Sequence, residues 1–241
     1  MNIEILPIKT RVVRPPKDDI SDIIDSLTVK EGDIVFVSSK ILAIAQGRTK
    51  KTSECEKIDL IKQNAERFAN FVSDNGEFHT NLTVVDGILM AGAGIDESNA
   101  DGYYVMWPKN IDTICKNIRE KLTRKFGIKN LGVVATDSHT TPLRWGVTGL
   151  AIGISGIKPL KDIRGEEDIF GRKMHLTQVN KIDPLTSLAV LKMGESSEQT
   201  PIVIIRGDTG IEFDENASMD GFKIPLEMDM YQGIIKHIPK V

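Results

Sequence analysis

Apolar residues along this chain fall either into short continuous runs or into helical stripes, with polar turns between them. The runs at 33–37, 131–135, 150–154 and 202–205 are bounded by turn residues and read as buried strands. Residues 3–7 add a short strand, and 11–14 an extended piece before Pro15-Pro16. Ile20, Ile23, Ile24 and Leu27 share one face of an amphipathic helix, with Asp18 as its expected N-cap. Ser53 and Glu56 have capping-box spacing, and Ile58, Ile61, Ala65, Phe68 and Val72 keep helical spacing to about Val72. Phe78 to Met90 alternates and breaks at Asp86-Gly87, a β-hairpin signature. Asn110 is placed to cap a helix whose face carries Ile111, Ile114, Cys115, Ile118 and Leu122. Asp183-Pro184 opens another, as N-cap and proline at the first helical position; Leu185, Leu188 and Leu191 are its expected core and Gly194 its end. From Gly207 to Val241 the pattern is weak, which suits packing against a partner subunit.

Composition narrows the classes. The 241 residues are 27% charged and 40% hydrophobic, ordinary for a soluble globular protein with one large domain or two small lobes. A net charge of −3 gives no electrostatic footprint for nucleic acid. No apolar run approaches the roughly 20 residues that span a bilayer, and Met1-Asn2-Ile3-Glu4 lacks the features of a signal peptide. A cytoplasmic protein without membrane or nucleic-acid partners is the expectation. Cys55 and Cys115 are either two buried thiols or one disulfide, and no zinc-type spacing of Cys and His exists.

The chemistry concentrates in polar turns. Residues 135–153 carry Asp137, Ser138, His139, Thr140, Thr141, Arg144 and Trp145 between two buried runs, with Pro142 and Gly146 fixing an irregular path. The other reading of this stretch is an ordinary loop with Asp137 capping a turn. Trp145 is the expected packing anchor of the loop. Ser38-Ser39-Lys40 at a strand end can hold a phosphate or carboxylate, or can equally be a helix cap beside a solvated lysine. The stretch 91–99 has Gly92 and Gly94, but Glu97 stands where a dinucleotide fingerprint needs a third glycine, and no glycine precedes a lysine as in a Walker A loop. Residues 158–172 suit a substrate-facing lid or a solvated connection. Asp96, Asp137 and Glu195 each sit in a polar turn beside hydroxyl or amide groups, a donor set that suits Mg²⁺ or Mn²⁺ shared with a nucleotide triphosphate. Ser138 and His139 are adjacent, so on an extended chain they point apart and form no Ser–His pair.

These residues resemble a known family. The order Gly94-Ile95-Asp96-Glu97-Ser98-Asn99, then Thr136-Asp137-Ser138-His139 through Pro142, Arg144, Gly146, Thr148 and Ala151-Ile152-Gly153, is similar to the coenzyme F420-0:L-glutamate ligase family. The similarity runs on through Pro159-Leu160, Asp162, Arg164-Gly165, Asp168, Gly171-Arg172, Met193-Gly194-Glu195 and residues 201–204, and upstream through Ser38 to Ile41 and Gln46-Gly47. The resemblance implies a single α+β domain with mixed β-sheets and flanking helices, divisible into lobes of about 1–90 with 180–241, and 91–179. It implies a homodimer that joins L-glutamate to a carboxylate of a deazaflavin precursor through an acyl-phosphate, with GTP as energy source and Mg²⁺ or Mn²⁺ required. By the same resemblance Asp96 and Asp137 ligate one metal, and Ser138 and Glu195 serve a second. Asn99, Leu6, Pro7, Ile8, Lys9, Ser39, Lys40, Met193, Gly194, Ser196, Gln199 and Thr200 contact nucleotide; Asp137 and Arg144 are the catalytic candidates. Three positions depart from the family pattern: Ser138 replaces a threonine, Thr141 a basic residue and Ile44 a lysine. These changes leave the acceptor open, with folate as an alternative, and motivate two rival readings: a binding protein that kept the fold without the chemistry, and a metal-dependent phosphatase.

Overall fold

A computed structural model describes residues 2–241 except 75 and 78. In chain order the elements are β1 (Ile3–Ile8), α1 (Ser21–Ser26), β2 (Ile34–Ser38), α2 (Ser39–Ala45), β3 (Thr49–Lys51) and α3 (Lys57–Asn64). Then come β4 (Arg67–Val72), β5 (His79–Val85), β6 (Ile88–Ala91), β7 (Tyr103–Val105), α4 (Ile111–Phe126), β8 (Gly132–His139) and β9 (Thr148–Ser155). The chain ends with β10 (Leu160–Asp162), β11 (Gln178–Asn180), α5 (Ile182–Met193), β12 (Ile202–Gly207) and the single turn α6 (Gln232–Ile235). This is the α+β class, with mixed sheets and flanking helices.

A five-stranded sheet in the order β1-β12-β2-β8-β9 carries the fold. Its strands pair antiparallel except β2 with β8, which run parallel. The inner strands read as continuous apolar runs because helices cover both faces. Val35, Val37, Val133, Ala135, Ile202 and Ile204 point into one core with α1, α2 and α4. Ile34, Phe36, Val134, Val203 and Ile205 point into the other, beneath α5. Between Ala135 and Thr136 the β8–β9 register slips, so Ala135 faces Gly153 and Thr136 faces Ala151. The bulge in β9 leaves Ile152 and Gly153 both turned toward the α4 side, Ile152 in that core and Gly153 against Ile111. Fully buried Asp33 meets Arg206 through two contacts of 2.8 Å and also accepts the Lys30 amide, so it carries a bidentate partner rather than an orphan charge. A second sheet, β4-β5-β6, holds the Asp86-Gly87 hairpin, both residues at positive φ; Phe78, its expected start, lies outside the described residues.

Several local expectations change in the fold. The helical spacing through Val72 breaks at Asn64, because Arg67–Val72 pairs with β5; aromatic and β-branched Phe68, Phe71 and Val72 suit that third strand. Ser53 belongs to a 3₁₀ turn, and Glu56 precedes α3 without a side-chain cap. Asp18 does not cap α1, which starts after Ile20; its carboxylate is taken by Arg11. Asn110 precedes α4 in a left-handed conformation with no side-chain cap bond. Helix α5 begins at Ile182, where the Asn180 Oδ1 accepts the amides of Ile182 and Asp183, while Asp183 accepts the Ala151 amide at 3.0 Å. Its buried face is Ile182, Thr186, Ala189, Val190 and Met193; Leu185 and Leu188 are partly buried and Leu191 is exposed. Both cysteines are free thiols, so no disulfide joins them. The tail folds onto its own chain: Phe68 donates to the Pro239 carbonyl, Val241 to that of Glu66, and Ile238 and Met219 are buried.

Gly149 decides how closely α5 approaches β9. A Cβ there would stand 2.6 Å from the Thr186 carbonyl and 2.8 Å from Val190 Cγ2, and the first of these is backbone. Gly149→Ala is expected to destabilise the chain by about 1–3 kcal/mol through overpacking. Urea denaturation that gives an unchanged midpoint would refute this packing account.

Candidate active site

Parallel pairing sets Ser38, the last residue of β2, opposite Thr136 in β8. The chain leaves β2 directly into α2, and Ser39 and Lys40 stand at that junction. Strand β8 does not stop at residue 135, as the apolar run suggests. Its polar end continues to His139 because Thr148, Gly149 and Leu150 of β9 supply the backbone partners. Asp137 and Ser138 are therefore strand residues with opposite outlooks. A cavity of about 520 Å³ opens beyond these strand ends, within the range of small-molecule sites. Ligands in open α/β sheets also settle outside the carboxyl ends of strands.

Around this cavity the structure brings together Asp96, Asp137, Glu195, Ser138, Ser39, Lys40, Asn99, Met193, Gly194, Ser196, Gln199 and Thr200. The loop after α5 is held in place by its own bonds. Thr200 Oγ1 donates to the Met193 carbonyl at 2.6 Å, the Ser196 amide to Glu198 at 2.9 Å, and Asn99 Nδ2 to the Ser196 carbonyl at 2.8 Å. Gly194 exits the helix at φ +78°, ψ 169°, a conformation that L side chains rarely adopt.

Other expected residues lie elsewhere. Leu6, Pro7 and Ile8 belong to β1, paired with β12, and Lys9 follows them; none lines the cavity, whose wall is residues 10–14 instead. Arg144 sits in the 140–147 loop outside the cavity. Trp145 is no packing anchor: it is 101% exposed and Leu143 102%, because that loop leaves the sheet without folding back. Thr141 does not line the cavity, whereas Ile44 contributes an apolar patch to its wall. His139 closes β8 with Nδ1 3.2 Å from the Thr148 carbonyl. Gly94 serves packing: it lets the Trp107 ring approach to 2.4 Å of where a Cβ would be. The 10–14 wall escaped sequence reasoning. Its one signal was two arginines in an extended piece before a proline pair.

Charge in the cavity is unevenly compensated. Lys40 Nζ lies 2.6 Å from Asp96 Oδ2 and donates to the Ser98 carbonyl at 2.8 Å and to Ser98 Oγ at 2.9 Å. Burial raises the Asp96 carboxyl, but Lys40 and the two Ser98 donors outweigh it and leave it below its ordinary value. Asp137 has no such neighbour. Desolvation at the cavity floor pushes its carboxyl up to about 7, against the Ser138 amide and the Ser39 hydroxyl that favour its charged form. Glu195 is also raised, chiefly by burial; a hydrogen bond from Ser138 and the charge of Lys40 oppose this, while Asp96 and Glu198 repel its charge. Among the described residues no three Asp, Glu, His or Cys side chains are gathered into a ready metal cage. Two under-compensated carboxylates that feel a third, with a hydroxyl between them, nevertheless fit a hard divalent cation shared with a substrate.

The structure thus defines an α+β protein whose ligand cavity, rich in carboxylates and hydroxyls, sits at the carboxyl ends of a parallel strand pair. Residues 7–207 match the family model described as F420-0:Gamma-glutamyl ligase. The chain is 34% identical to the coenzyme F420:L-glutamate ligase of Methanopyrus kandleri, with 86% of this chain and 87% of that protein covered. It is 32% identical to the protein of that name in Methanocaldococcus jannaschii, over 89% and 90%, and 31% to that of Archaeoglobus fulgidus, over 86% and 88%. It belongs to the F420-0:gamma-glutamyl ligase family.

The Asp137 carboxyl holds its proton to about pH 7 in the folded chain, against 3.8 for the free group. Its contribution favours folding most at low pH and is lost as pH rises through that interval. In chelator, Asp137→Asn is therefore expected to be no more stable than the native chain near pH 4. At pH 8 it should be more stable, by roughly 2–4 °C in Tm for each kcal/mol recovered. Parallel melting profiles across that pH range would contradict the burial account.

Proposed function

We propose that the chain is a nucleotide-driven amide ligase that joins the α-amine of L-glutamate to a carboxylate of coenzyme F420-0 or a related acidic cofactor. GTP is the energy source in this reading, and Mg²⁺ or Mn²⁺ is required. The observation that carries it is the meeting of Asp96, Asp137 and Glu195, from three distant parts of the chain, around one cavity. Membership of a glutamate-ligase family supports it.

Asp96, Asp137, Ser138 and Glu195 are the residues that would hold the divalent ion. Once bound, the ion neutralises charge on the phosphoryl oxygens. An oxygen of the acceptor carboxylate attacks the γ-phosphorus, and the bond to the β-phosphate oxygen breaks, giving GDP and an acyl-phosphate. The α-amine of glutamate then attacks the acyl carbon, phosphate leaves, and the nitrogen loses a proton. The loop from Met193 to Thr200, with Asn99 tied to it, forms the wall along the nucleotide. In the ligand-free chain Lys40 is the countercharge of Asp96 and is held there by Ser98 as well. The apolar cavity patch at Ile41, Ile44 and Val190 excludes water, which would otherwise hydrolyse the acyl-phosphate.

A homodimer completes the proposal. Leu143, Trp145, Ile169, Phe170 and Leu176 are each at least 87% exposed, and large apolar side chains of this kind suit a subunit interface. Sedimentation equilibrium at micromolar concentration is expected to give a dimer of 26.7 kDa chains; a monomer at all concentrations would remove this part.

The reaction itself is tested by following phosphate release and glutamate incorporation together over a panel of deazaflavin and folate acceptors. One phosphate per amide bond is expected. Asp137→Ala should lose on the order of 10²-fold in kcat/KM, about 2.7 kcal/mol of transition-state stabilisation, with the fold intact. Phosphate release that ignores glutamate would identify a phosphatase, and no turnover with any nucleotide and either metal would overturn the ligase reading.

A further inference from the structure

We propose that Arg14 is the residue with which this cavity grips an anionic group, carboxylate or phosphate, of the nucleotide or of glutamate; this deepens the ligase reading and rests on it. The cavity is lined by the carboxylates of Asp96, Asp101, Asp137, Glu195 and Glu198. Any anionic substrate that enters meets repulsion unless a cation is free to receive it. Among the described residues Arg11, Arg14 and Lys40 are the basic residues of its wall.

Two of the three are already engaged. Lys40 is held by Asp96 and Ser98. Arg11 is caged: its guanidinium binds Asp18 at 2.7 Å, Asp22 at 2.8 and 2.9 Å, and the Asp19 carbonyl at 2.6 Å. The guanidinium of Arg14 makes no hydrogen bond or ion pair with any described residue. Only its backbone is fixed, the amide donating to Asp18 Oδ2 at 2.9 Å. That oxygen is the one Arg11 also binds, so the cage of Arg11 sets the backbone from which Arg14 extends. At the other end of the segment the Thr10 amide donates to the Gln199 carbonyl at 3.0 Å, tying this wall to the loop after α5. A free guanidinium on an anchored backbone is arranged for bidentate capture of a planar carboxylate or a phosphate.

Calorimetry with the native chain, Arg14→Lys and Arg14→Met tests this, using GTP with Mn²⁺, L-glutamate, and inorganic tripolyphosphate as separate titrants. Arg14→Met is expected to weaken one of the first two by about tenfold or more and leave the other unchanged, which identifies the source of the anion. Arg14→Lys should restore only part of the loss, because an ammonium lacks the fork. All melting temperatures should coincide, since the Arg14 side chain bonds nothing within the chain. Equal affinities in all three proteins would overturn the inference while leaving the ligase reading intact. A native chain that binds tripolyphosphate through Arg14 but neither catalyses ligation nor binds GTP would keep the inference and end that reading. A native chain that binds no anion would end both.

Discussion

The parallel pairing of β2 with β8 is the constraint on which the rest depends. Both strands are buried on both faces, so neither can slide by one residue without turning an entire apolar set into the wrong core. The register that puts Val35 beside Val133 also puts Ser38 beside Thr136. Everything polar that follows is delivered to one place: the start of α2 from one strand, and Asp137 and Ser138 from the other. Antiparallel β9 then extends β8 past its apolar portion, through Asp137 and Ser138 to His139.

The second organising feature is the mismatch of charge within the cavity. Lys40 bonds Asp96 and only attracts the other two at a distance, so burial wins at both: Asp137 is driven upward and Glu195 is left raised. A protein under selection for stability alone has no reason to keep two poorly compensated carboxylates at the end of its central strands. Such arrangements are found where a ligand supplies the missing charge. The same accounting isolates Arg14, because the two other cations on the wall are held by acids of the chain itself. On the proposed reading the cavity takes positive charge near Asp137 and negative charge near Arg14.

The outer parts of the chain divide into those that close on themselves and those that do not. The C-terminal tail returns to β4 and to α4, where the Asp112 carboxylate accepts the Met219 amide at 2.9 Å. The 140–147 loop and the 166–176 arm carry large apolar side chains into solvent. The glycine-rich turn at 91–99 shows how similar local sequences serve different ends. Gly94 admits the Trp107 ring, while Asp96, Ser98 and Asn99, two to five residues on, reach the cavity.

The sequence by itself determined the strands of the central sheet, the long amphipathic helix α4, the Asp86-Gly87 hairpin and the polar turns that carry Asp96 and Glu195. These follow from periodicity and turn chemistry, which act over a few neighbouring residues. The resemblance to a family added the order of the motifs. Only the tertiary structure decided that 67–72 is a strand, that β8 continues through Asp137, that α5 buries Thr186 and Ala189 rather than Leu191, and that Arg144 and Trp145 stand in solvent. It also decided that residues 10–14, and not 6–9, form the wall of the cavity. Each of these depends on a partner far away in the chain. A hydrogen-bonded neighbouring strand overrides helical spacing, and a helix's buried face is chosen by the sheet beneath it. A side chain's charge environment is set by acids that only folding brings near.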